Sequence, residues 1–401
     1  MKLPERFTAN TGSFANYWDN GMGCQLLKKL NKKPDIADAK SLAPLLYEYD
    51  EIADQIIQDI YLLQGFKIGH QLLESYLNEN TPASEIENQY LHTLFSQIQN
   101  EPEWLNKDLL EQGSALCRRA GASSLIVLRD YCLMGGYESA AINKPLIFTG
   151  ALKKGAVKRL AETLEFWVDI TGDKALQQGN TGFKSIIKTR LIHAYSRVNI
   201  LKHTNWESEK WGIPLNQWDM LATNLGFSLV YLVGLRKIGF NPTNKEVEGL
   251  FHFWKYIGYL LGIPEKLLPN TEEEAIQALY YWTLTQSPAD EDSIALAHAL
   301  TAEPFLVNFP KYRISKIILQ QSHLAYNYYF LGEVSCQSLH LPRSLYGPLV
   351  KLSVLINRIK ERNIKNDTDY KKMVDKGRKE QEKIRYIYSH INAKKPVLVS
   401  K

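Results

Sequence analysis

Apolar residues recur at three- and four-residue spacing through most of this chain, and that period predicts α-helices. It runs through residues 46–74, 86–98, 157–170, 185–203, 218–238, 245–261 and 315–336. The punctuation between these runs is helical too. Thr243, with Glu246 three residues on, reads as a capping box after Asn241-Pro242, and Gly262-Ile263-Pro264 closes the helix it opens. Glu272, Glu273 and Glu274 follow Thr271, which sets acids at the positive end of the next helix dipole. Alternating apolar–polar runs joined by Asn-Gly or Asp-Gly turns do not occur, which excludes an all-β reading. The expected fold class is therefore all-α. With no repeat and no Pro/Gly/Ser linker, three sections of one body are expected: an N-terminal helical layer at 1–115, a core at 116–345, and a C-terminal helix with a tail at 346–401.

Composition changes this picture little. The chain has 401 residues, 45% apolar and 23% charged, ordinary for a globular protein. Charge distribution is more informative. The net charge is +5, and residues 358–388 hold eleven Lys and Arg against six acids. The rest of the chain is then close to neutral, which argues against a nucleic-acid binder. The basic tail reads either as a solvated helix or as a segment that touches an anionic membrane or an acidic partner. Four cysteines, Cys24, Cys117, Cys132 and Cys336, show no metal-ligand spacing and suit a reducing compartment. The N-terminus lacks the apolar core of a signal peptide, and apolar stretches such as 227–235 are short for a bilayer. A cytoplasmic location is expected.

Candidate chemistry centres on His193. On a helix, Arg190 lies three residues before it and Arg197 four after, so all three share one face, which Ile186, Thr189 and Ile200 extend. An imidazole between two guanidiniums on an otherwise apolar stripe suits a flat, greasy ligand with carboxylates, such as a haem: the imidazole as axial ligand, the arginines as propionate partners. The alternative is a surface helix with solvated arginines and a half-buried histidine. A second face carries Arg159, Glu162, Thr163 and Phe166 at i, i+3, i+4, i+7. It offers a fixed positive charge, an acid or base and a hydroxyl relay if it lines a pocket, and an ordinary surface ion pair if it does not. A third block at 214–228 has Asn216 as N-cap with Asp219 in the box position, and Gly226 where a ligand or a neighbour can approach closely. None of the other eight histidines has paired-ligand spacing; His252 and His298, on apolar helices, are the ones that could reach a pocket.

Taken together, the strings Arg159-Leu160-Ala161-Glu162-Thr163, Arg190-Leu191-Ile192-His193-Ala194, Asn216-Gln217-Trp218-Asp219, Phe251-His252-Phe253-Trp254 and Leu339-His340-Leu341-Pro342 resemble, in order, the latex-clearing-protein family of rubber oxygenases, the MpaB-type oxygenases, over about residues 100–345. The resemblance implies a globin-like helical core holding a non-covalent haem b. It implies His193 as the proximal iron ligand with Arg190 as an electrostatic partner, and Arg159, Glu162 and Thr163 on the distal side. It implies O2-dependent oxidation or C=C cleavage of an apolar, isoprenoid-like or lipid-like substrate. Rubber-cleaving members carry Lys where this chain has Glu162, a departure that argues against natural-rubber cleavage and a lysine sixth ligand. The alternative reading is a haem-binding or haem-sensing protein without turnover, and a third is a helical partner-binding protein working through its basic tail.

Overall fold

The computed structural model describes residues 3–7, 12–79, 82, 85–150 and 155–389, and among these every regular element is helical. The periodic runs become helices at Gln89–Gln99, Ala156–Ile170, Thr181–His203, Asn244–Leu260 and Arg313–Ser338. The capping box forms as the spacing predicts. The Glu246 amide donates to Thr243 Oγ1 (3.2 Å), and the Thr243 amide donates to Glu246 Oε2 (2.8 Å).

Two expected helices differ. The run at 46–74 is divided into Glu51–Ile56, a wide i→i+5 turn at Ile57–Leu62, and Phe66–Glu79. Gly65 sits at φ +106°, a conformation that ends the first part and that a side-chain-bearing residue seldom adopts. The run at 218–238 is interrupted by a second wide turn, Gly226–Val230, between Gln217–Leu225 and Tyr231–Lys237. Taken as one, Gln217–Lys237 is long and apolar enough to cross a bilayer, contrary to the expectation that no stretch would be. Its side chains are mostly buried inside the body, which is where a core helix of this composition belongs.

The three sections meet in one core. Trp18, Leu46, Ile56 and Tyr61 from the N-terminal layer join the same buried cluster as Trp167, Tyr231, Phe251 and Trp254. Lys107–Arg119 crosses Asn244–Leu260 through two glycines in backbone contact: a Cβ on Gly113 would lie 2.3 Å from the Gly249 carbonyl oxygen. That close approach lets large neighbours such as Phe253 and Trp254 reach the interior.

The basic C-terminal segment is largely a docked helix, Asp367–Ser389. Gly377 rests on the backbone of Arg118, and Gln381 Nε2 donates to the Cys117 carbonyl (2.8 Å). Part of its positive charge is spent inside the protein. Arg378 donates to the Val168 carbonyl (2.6 Å), and Arg385 pairs with Asp169 (3.2 Å). The expected solvated tail is thus a wall of the body, because Val374, Gly377 and Gln381 give it a buried face.

Candidate functional site

The helix at Thr181–His203 is held in place by its two arginines. Arg190 Nε and Nη2 donate to the two oxygens of Asp50 (2.6 and 3.0 Å). Arg197 Nη2 and Nε donate to Asp54 Oδ1 (2.6 and 3.0 Å), and its Nη1 donates to the Leu215 carbonyl (3.0 Å). Both guanidiniums are buried, and neither borders the cavity described below. The expectation that they would hold ligand carboxylates is corrected here: the carboxylates they hold are the protein's own, presented by the turn and helix at 50–56. Their work is to fix the height and rotation of the His193 helix, and buried, paired charges of this kind are costly to break.

His193 itself borders a cavity of about 1490 Å³. That exceeds the roughly 300–1,000 Å³ usual for a single small ligand. The imidazole Nδ1 is buried with no hydrogen-bond partner. Burial, and then the nearby charge of Arg197, push the ring's pKa down to about 4, against a smaller opposing effect of Asp50. The ring is therefore neutral at physiological pH and keeps a lone pair free, which is what iron requires of a histidine. Flat, apolar side chains border the same cavity: Trp167, Phe227 and Trp254 stack at 4.9–6.2 Å with interplanar angles of 15–24°. The second wide turn explains Phe227 and Gly226. Both face the cavity, and a Cβ on Gly226 would meet nothing within 4 Å.

Arg159, Glu162 and Thr163 border this cavity as well, on the helix Ala156–Ile170. Arg159 Nη1 donates to the Tyr137 hydroxyl (3.2 Å) with its guanidinium over that ring. Glu162 is not the enclosed carboxyl expected of a buried acid. Its side chain is 30% exposed, and Lys158 lies 3.7 Å away. Asn216 caps its helix by accepting from the Asp219 amide (2.9 Å), while the Asp219 carboxylate is held by Arg6 (2.6 and 2.8 Å). His252 and His298 do not border the cavity. His252 Nε2 accepts from the Asn106 amide (2.8 Å), and His298 Nε2 lies 3.0 Å from the His340 carbonyl oxygen.

Three features escape the sequence pattern. Glu138, which follows Gly135-Gly136-Tyr137, is buried at the cavity wall, and burial pushes its carboxyl up to about 8, with the Ser335 hydroxyl opposing. The enclosed acid of the site is therefore Glu138, and it is protonated at neutral pH. His323 Nδ1 lies 2.6 Å from Asp130 Oδ2, and Asp130 is in turn paired with Arg129 (2.5 Å). Arg129 reaches Glu303 (3.3 Å), which accepts from the Tyr388 hydroxyl (2.6 Å), so the C-terminal helix is tied to the cavity wall. These groups come from segments far apart in sequence and carry no common spacing. Among the described residues, no group of three or more His, Cys, Asp and Glu side chains is placed to hold a metal ion.

Residues 118–357 match the family described as ER-bound oxygenase mpaB/B′ and rubber oxygenase, catalytic domain. The fold is similar to a solved structure of latex clearing protein LCP in its closed state, with a TM-score of 0.65 at 17% identity, covering 83% of this chain and 91% of that one. No curated protein matches the sequence.

Proposed function

Since this chain belongs to the ER-bound oxygenase mpaB/B′ and rubber oxygenase catalytic-domain family, we propose that it is a haem b-dependent oxygenase that uses O2 on an apolar, isoprenoid-like or lipid-like substrate. The observation that carries this reading is His193: a neutral imidazole with an unpartnered ring nitrogen at the wall of a large aromatic cavity. The residues present fit a haem. His193 would hold its iron through the ring nitrogen, flat apolar side chains line the same cavity, and the volume would leave room for a substrate as well. When bound, the haem supplies the iron at which dioxygen is activated.

The chain's own residues then have separable tasks. Asp50 and Asp54, through Arg190 and Arg197, hold the His193 helix still. Trp167, Phe227 and Trp254 exclude water and offer a surface to apolar substrate. Glu138 keeps a proton on its carboxyl oxygen at neutral pH and can donate it into the cavity, whereas Glu162 is more exposed and lies beside Lys158. Arg159 sets a fixed positive charge on the wall beside Tyr137, suited to developing negative charge on oxygen. Thr163 adds a hydroxyl there. Glu162, standing where rubber-cleaving members have Lys, argues against natural rubber as the substrate.

Absorption spectroscopy tests the cofactor. The purified, haem-supplemented protein should show a Soret band that His193→Ala abolishes or shifts, with its helical circular dichroism unchanged. No Soret band in the wild-type protein refutes the reading. A Soret band without oxygen uptake across a panel of alkenes would instead favour a haem-binding protein without turnover.

A further inference from the structure

Fourteen of the twenty-one exposed large apolar side chains among the described residues fall between 305 and 359. Leu345 is 94% exposed, Tyr312 70%, Ile314 69% and Leu306 60%. Scattered exposed leucines are normal, but a concentration of this kind marks a surface that another phase or molecule covers. Within 304–362 there are eight Lys and Arg and two acids, Glu333 and Glu361, the second of which is paired with the buried Arg119.

The helix Gly347–Arg362 shows how this surface is built. Val350, Val354 and Asn357 face the body. At 100° per residue, Leu349, Leu352, Ile356 and Ile359 fall on the far side and are exposed. Lys351, Arg358 and Arg362 run as an exposed row along the edge of that apolar stripe. The helix is thus apolar on two opposite sides, with cations flanking the outer one. It lies beside Arg313–Ser338, held by Ser344 Oγ to the Gln321 carbonyl (2.6 Å) and by Tyr326 to Ser353 (2.8 Å). These contacts set Leu345 beside the Gln321 turn, about one helical turn on from the exposed Ile317 and Ile318.

We propose that this face, made of residues 305–318 and 345–362, docks the protein on an anionic lipid bilayer. An apolar stripe that enters the acyl boundary while flanking Lys and Arg meet headgroups is the signature of an interfacial helix. A second copy of this chain would match the apolar stripes but would oppose two rows of like charge, whereas anionic headgroups satisfy both features. The basic helix at Asp367–Ser389 carries no such stripe: its outer face is set by Lys371, Lys372, Lys376 and Lys379, and Tyr386 is its one exposed large apolar side chain. Phe309 is 54% exposed on this face and also borders the cavity, together with Leu319 and Ser322. The docked face would therefore present a cavity mouth to the lipid. Bilayer docking stands independently of the oxygenase reading; only delivery of substrate through the Phe309 mouth rests on it.

Vesicle co-sedimentation of the full chain tests the proposal, with phosphatidylcholine alone and with about 30% phosphatidylglycerol. Binding should be at least ~10-fold stronger on the anionic vesicles and should weaken as salt rises. The double substitutions Leu349→Glu/Ile356→Glu and Lys351→Glu/Arg358→Glu should each weaken it ~10-fold or more, while Leu63→Glu, at a still more exposed leucine elsewhere, should not. All five positions are exposed, so these variants should keep the wild-type melting temperature and helical content. Absence of binding to anionic vesicles, or binding that ignores the face substitutions, overturns the proposal. So does a wild-type dimer in light scattering that Leu349→Glu/Ile356→Glu converts to monomer, which would assign the face to self-association. Binding is scored on haem-free and haem-loaded protein alike, so a missing Soret band leaves this outcome readable.

Discussion

Glu138 should make the protein's stability fall with rising pH in a window where carboxylates ordinarily do nothing. Its carboxyl is 5% exposed and titrates near 8 in the folded chain, against an ordinary value of 4.5. Between those two values the folded state keeps a proton that the unfolded chain has released. Stability then decreases as pH rises, by about 1.4 kcal/mol per pH unit. The favourable state is fully present below pH 4.5, and most of its advantage is gone by pH 8. Between pH 5 and pH 8 the integrated loss is on the order of 3 kcal/mol. Glu138→Gln keeps the shape and the hydrogen-bonding capacity and removes the titration. Urea denaturation of both proteins at pH 5 and pH 8 isolates the effect, since every other group cancels in the comparison. The wild type should lose about 3 kcal/mol relative to the Gln variant on going from pH 5 to pH 8. A difference between the two proteins that stays constant within about 1 kcal/mol across that range would mean that Glu138 ionises like a surface residue. In that case it cannot be the cavity's proton donor.

Other consequences can be checked in parallel. Asp54→Ala leaves the Arg197 guanidinium buried beside Leu215 without its carboxylate and should cost about 3–5 kcal/mol in chemical denaturation, with weaker haem uptake because the His193 helix loses an anchor. Gly226→Phe points a ring into open cavity space, so it should reduce ligand uptake by absorption titration while thermal stability changes by no more than about 1–2 kcal/mol. Gly377→Ala sets a Cβ 2.1 Å from the Arg118 carbonyl oxygen, backbone that cannot swing aside, so the C-terminal helix must lift. A destabilisation of about 1–3 kcal/mol and earlier proteolysis between residues 363 and 389 are expected.

Local rules that act within one or two helical turns were legible from the chain. The 3.6-residue period placed the helices around 160, 190 and 250, and Thr243 with Glu246 marked a start that the structure reproduces atom by atom. The spacing of Arg159, Glu162 and Thr163 put them on one helix face, and that face borders the cavity along with His193. The same reasoning could not say what a face meets. Arg190 and Arg197 do share a face with each other, but their partners are Asp50 and Asp54, about 140 residues earlier, and no sequence pattern links an arginine fork to a distant carboxylate. Glu138, Asp130 and His323 acquire their character only when separate segments converge, because burial and charge pairing are properties of assembled space. Helical periodicity is short-range geometry that one segment writes for itself. Titration, enclosure and the exposure of an apolar stripe depend on which segments fold against it.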